Sequence, residues 1–147
     1  MSTRACVAKV WGDGWSGVYT HWDGYPTHQG PIIWAKLHEE CGGNSDVFIE
    51  RYIDAHPSGW SSFGEICYCH NKDFPDHEPM IITSDDERHN QALYTEWVYV
   101  IGKRVLTVYT SDKRDSPLEN QYGWEIVAQV PLDGPEPDWG KLEEEVG

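Results

Sequence analysis

Nowhere does the sequence run to about 18 apolar residues, so no membrane-spanning helix is predicted. Met1-Ser2-Thr3-Arg4 leads straight into a strand pattern without an apolar signal core, and a cytoplasmic location is expected. Basic charge is scarce: eleven Lys and Arg stand against twenty-five Asp and Glu, a formal net charge of −14. That balance repels nucleic acid and anionic membrane surfaces, so direct nucleic-acid binding is disfavoured and no membrane partner is expected. The four cysteines, Cys6, Cys41, Cys67 and Cys69, come without a secretory signal and read as reduced thiols. A nucleophile elbow, a phosphate-binding glycine loop, a dinucleotide fingerprint and a His-Glu-x-x-His helix are all missing. No cofactor and no metal are predicted.

What the chain does hold is rings. Only 39% of its 147 residues are apolar, yet eight are Trp and eight are Tyr. A core at this length must therefore be built largely from amphipathic aromatics, which also line ligand sites.

Alternation over Thr3 to Trp11 and again over Trp15 to His21, broken by Gly12-Asp13-Gly14, predicts an antiparallel hairpin with Asp-Gly at its turn. Pro31 at a first helical turn, followed by Ile33, Trp34, Leu37 and Cys41 at helical spacing, predicts a helix opened by Gly30-Pro31 and ended by Gly42-Gly43. Asn44 and Ser45 cap a second helix over Asp46 to Ala55. Short strands are expected over Glu65 to His70 and Met80 to Thr83, and a helical turn after Ser84. A second hairpin, Trp97 to Ile101 and Val105 to Thr110 about a Gly102-Lys103 turn, and a last strand from Trp124 to Val130 follow. The fold class is α+β: a mostly antiparallel sheet of about five or six strands with two helices on one face. One domain is expected over 1–132, with an acidic, loosely attached tail over 133–147.

The stretch Val18 to Pro31, VYTHWDGYPTHQGP, organises the rest. It joins a strand to a helix start, where free N–H groups favour anionic ligands. Met1-Ser2-Thr3-Arg4, the first hairpin, VYTHWDGYP and the helix after Gly30-Pro31 resemble an uncharacterised family of small bacteriophage and actinobacterial proteins with an "MSTR…YCHWDGYP…G" beginning. A second motif of that family, similar to Tyr-His-Arg-Asp-x-Gly-Glu, is matched only at His70, and Asn71-Lys72-Asp73 departs from it. The resemblance implies a phage or mobile-element accessory protein.

Five residues are candidates for ligand binding: His21, Trp22, Asp23, Tyr25 and His70. Alternate positions on an extended segment share a face, so Asp23 can orient His21 as a base, and His70 can join them if its strand lies alongside. The structural alternative is an Asp-Gly turn flanked by packed rings. Cys67, Cys69 and His70 lack the second closely spaced pair of a structural zinc site, and His28, His38, His56, His77 and His89 read as solvated. Two functions stay open. The first is an accessory binding protein, possibly a host-defence inhibitor, that covers a basic surface of a host protein or sequesters a small ligand. The second is a small metal-dependent or His/Asp-based hydrolase acting on a nucleotide-like substrate. Oligomeric state is not encoded in any pattern.

Overall fold

A computed structural model describes residues 4–67, 81–83, 96–111 and 124–144. Its eight strands are β1 (Ala5–Trp11), β2 (Gly14–Thr20), β3 (Trp60–Ser62), β4 (Ile66–Cys67), β5 (Ile81–Thr83), β6 (Trp97–Ile101), β7 (Val105–Ser111) and β8 (Trp124–Pro131). The helices are α1 (Pro26–Ala35), α2 (Ser45–Phe48) and α3 (Trp139–Glu144). The first two run on into wide π turns, Lys36–Glu40 and Ile49–Asp54, closed by Cys41 N–H to Lys36 O and Ala55 N–H to Glu50 O bonds of 3.1 Å each.

The strands form one mixed sheet in the order β4-β3-β2-β1-β6-β7-β8, with β5 also beside β2. The α+β class is as expected, but the strand count is higher than five or six and two pairings, β1 with β6 and β2 with β3, are parallel. Strands β4 and β5 fall within the short strands expected over Glu65 to His70 and Met80 to Thr83, whereas the three-residue β3 is too short for alternation to announce it and a parallel pair leaves no local turn signal. Alternation sends Ala5, Val7, Val18, Tyr99, Leu106 and Val108 to one face, where they bury against Ile33, Leu37, Phe48 and Tyr52 of the helical layer. Cys6, Ala8, Trp15, Tyr19, Ile82, Val98 and Val100 form a smaller cluster on the other face.

Three boundaries differ from expectation. Trp11 pairs with Gly14, so the first hairpin turns on Gly12-Asp13, with Gly12 at φ 58° in the position that a primed turn reserves for glycine. Helix α1 starts five residues early, with Pro26 rather than Pro31 in its opening position. Pro31 sits inside the helix, and Gly30 leaves the gap into which the Trp139 indole packs, since a Cβ there would run into the ring. The segment expected as a loose tail is consequently packed: Trp139 and Leu142 belong to the core, and Trp139 Nε1 donates to Glu136 Oε2 at 2.7 Å. Asp138 and Glu144 are exposed while an i, i+3 apolar pair faces in.

Among the described residues Cys6 and Cys41 are free thiols. Burial pushes the Cys6 thiol far above its ordinary range, so it stays protonated and unreactive. No described helix is long and apolar enough to cross a membrane.

Candidate functional site at the His21 to Tyr25 turn

Strand β2 ends at Thr20, but its backbone remains held. His21 N–H donates to Trp60 O and Trp22 N–H to Ser61 O, both at 3.0 Å, carrying the turn along β3. Gly59, at φ 81°, lies so close to the Tyr19 carbonyl that any Cβ would overlap it, which is why glycine leads into β3. On the far side the wholly buried Tyr99 hydroxyl donates to Gly24 O at 2.6 Å. Burial, and then the Glu143 charge, raise Tyr99 well above the usual tyrosine range, so that donor is permanent. Finally the Tyr25 carbonyl receives His28 N–H at 3.0 Å and Gln29 N–H at 2.8 Å, starting α1. The turn is anchored at each end and in its middle.

Asp23 takes a left-handed backbone, φ 53°, which Asp tolerates better than most residues. Nothing among the described residues hydrogen-bonds its carboxylate. His21 is instead oriented by Tyr19, two residues back on the same face: the Tyr19 hydroxyl lies 2.6 Å from Nδ1. Desolvation first, and the Arg4 charge second, lower the His21 pKa, so the ring is neutral at pH 7. The hydroxyl donates to Nδ1 when the ring proton is on Nε2 and accepts from it when the proton is on Nδ1, so in either tautomer Tyr19 and not Asp23 orients the ring. The expected Asp23-oriented base is thus not assembled.

Trp22 stands edge-on to His21 with centroids 4.6 Å apart and is 45% exposed. Half-buried Tyr25 lies 5.9 Å from the exposed His28 ring on the next turn. His21, Trp22, Tyr25 and His28 therefore make an aromatic lip on a fixed backbone. His70, the fifth candidate, lies outside the described residues, as do Cys69, His77, His89 and the helical turn after Ser84. Among the described residues no three His, Cys, Asp or Glu side chains come together as a metal site.

Tyr19, Tyr99 and Arg4 were missed as contributors. Period-two spacing was a usable signal for Tyr19, and Arg4, one residue beyond the Ala5–Thr20 pair, was within reach of the first hairpin's register, whereas Tyr99 reaches the turn only through the non-local β1–β6 pairing. Two clefts open elsewhere. One, of about 130 Å³, lies beside the Lys9–Asp54 ion pair of 2.8 Å and is walled by Val18, Pro57 and Ile81. The other, of about 420 Å³, is lined by His38, Gly43, Lys103, Arg104, Leu132 and Asp133.

No family model, curated protein or solved structure matches the chain. Function has to be read from the site itself.

Proposed function

We propose that this chain is an accessory binding protein that captures a basic partner protein through the His21 to Tyr25 lip, in keeping with the phage or mobile-element context that its opening residues imply. The observation that carries this reading is the half-exposed Trp22 on a turn fixed by backbone bonds to Trp60 and Ser61 and by the Tyr99 hydroxyl. Rigid, partly exposed tryptophans supply interface energy at little entropic cost. The net charge of −14 selects a positively charged partner surface and speeds the encounter. Sequestration of a small ligand is less well supported, because Trp22 and Tyr25 project from the turn and line neither cleft described above. The hydrolase alternative is less well supported, because among the described residues His21 is held by Tyr19 and not by Asp23.

The test is capture of host proteins from a bacterial lysate by the immobilised full chain and by a Trp22→Ala, Tyr25→Ala variant. A basic protein held by the wild type, released by added salt and weakened at least about tenfold by the variant supports the reading. Capture of no basic protein, or equal capture by both chains, overturns it.

A further inference from the structure

Basic side chains are few, and most of those described are spoken for. Lys9 pairs with Asp54 at 2.8 Å and Lys36 with Glu40 at 2.9 Å, while Arg51 donates to the Glu40 carbonyl at 3.1 Å. Lys103 and Arg104, adjacent in the β6–β7 turn, are both exposed and make no ion pair among the described residues. They open onto the cleft of about 420 Å³ whose opposite wall is His38.

His38 was expected to be a solvated histidine, and its position says otherwise. Nδ1 lies 2.9 Å from Trp34 O and Nε2 2.7 Å from Leu132 O, and the ring stacks on Trp34 with centroids 4.3 Å apart. Both ring nitrogens face carbonyl oxygens, so neither is free to meet a ligand and the ring serves as wall. Lys103 and Arg104 face the cleft against one carboxylate, Asp133. The walls are firm. Arg104 O accepts Leu132 N–H at 2.9 Å, tying the turn to the segment after β8, and Gly43 N–H is bonded to Leu37 O at 2.9 Å.

We propose that this cleft binds a small anion bearing phosphate groups, held by Lys103 and Arg104. Its volume lies within the usual range for small-molecule sites, roughly 300–1,000 Å³. Arginine forks and lysine ammonium groups are the common donors to phosphate oxygens. The net charge of −14 does not forbid it, because screening over about 8 Å at physiological ionic strength leaves nearby groups to decide. The site is separate from the aromatic lip and stands or falls without it.

Inorganic pyrophosphate titrated into the full chain, followed by amide NMR at near-physiological salt, tests the assignment. Saturable shifts confined to Gly43, Lys103, Arg104, Leu132 and Asp133 are expected. A Lys103→Gln, Arg104→Gln variant should bind about a hundredfold more weakly, each charged hydrogen bond accounting for roughly tenfold. Asp133→Asn should bind more tightly than wild type, and it decides the matter if the double variant misfolds. Absence of saturable shifts, wild-type affinity in a folded double variant, or weaker binding by Asp133→Asn overturns the proposal. Capture of a protein partner should be unchanged in the double variant, which separates this site from the Trp22 surface.

Discussion

Two histidines mark two differently built regions. His21, on the aromatic lip, has one ring nitrogen engaged by the Tyr19 hydroxyl, and no described residue meets the other. His38, in the basic cleft, has both ring nitrogens facing carbonyl oxygens and so offers a ligand no free ring nitrogen. The first ring is held at one nitrogen only, while the second bridges Trp34 and Leu132 and ties the helix to the segment after β8. The contrast shows that an imidazole is read by what its two nitrogens face, since exposure, intermediate for both, does not separate them.

The largest expected effect falls on the support behind the cleft. Trp139 packs in the gap at Gly30 and lies 6.3 Å from Trp34, the ring on which His38 rests. Trp139→Ala should cost about 3–5 kcal/mol in denaturant unfolding and perturb His38 resonances more than those of Trp22. Equal disturbance of both regions would erase the distinction. Tyr99→Phe acts on the other side. It leaves the Gly24 carbonyl buried without its donor, costs about 1–3 kcal/mol, and should shift the Trp22 and Asp23 amides while sparing Lys103 and Arg104.

A third substitution should raise stability. Gln29, 1% exposed on α1 behind the lip, has neither amide atom hydrogen-bonded among the described residues. Gln29→Met keeps the volume and removes that unmet polarity, so a gain of about 1 kcal/mol is expected; a loss would reveal that the amide has a partner.

The first hairpin and the second were legible because alternation and turn residues are local signals. Two prolines five positions apart gave the same helix-start signal, and packing against Trp139 selects Pro26 by drawing Gly30 and Pro31 into the helix. The Glu143-Glu144-Glu145 run hid an apolar pair, Trp139 and Leu142, that was visible at helical spacing. Trp22 and Tyr25 were found as candidates by their place in the motif, although their ring partners are His21, held by Tyr19, and His28, with no base held by Asp23. The cleft was not legible, because the second carbonyl on His38 belongs to Leu132, far along the chain.

Acid should separate the histidines further. The pKa of His21 is lowered in the folded chain by desolvation and then by Arg4, so protons bind the unfolded state more readily. The stability this contributes is present above the unfolded value of 6.5 and is lost as pH falls from there through the folded value. His21→Gln should flatten the fall in Tm over that window, whereas an unchanged slope would assign it to other groups. The Glu40 carboxyl, lowered mainly by its hydrogen bond from Lys36 and then by that from Tyr52, titrates in a separate window below 4.5. The smallest effect on stability belongs to Trp22→Ala, expected within about 0.5 kcal/mol of wild type despite its loss of partner capture. A larger destabilisation would make Trp22 a packing residue.

The parallel pairing of β1 with β6 also sets a schedule for the newborn chain. Ala5 meets Trp97 across roughly 90 residues, so the first hairpin leaves the ribosome with one long edge unpaired. At a synthesis rate of about 5–20 residues per second, that edge waits roughly 5–18 seconds for its neighbour. During that interval the row Ala5, Cys6, Val7 and Ala8 offers its backbone to any passing strand, and a chaperone has its best reason to be there.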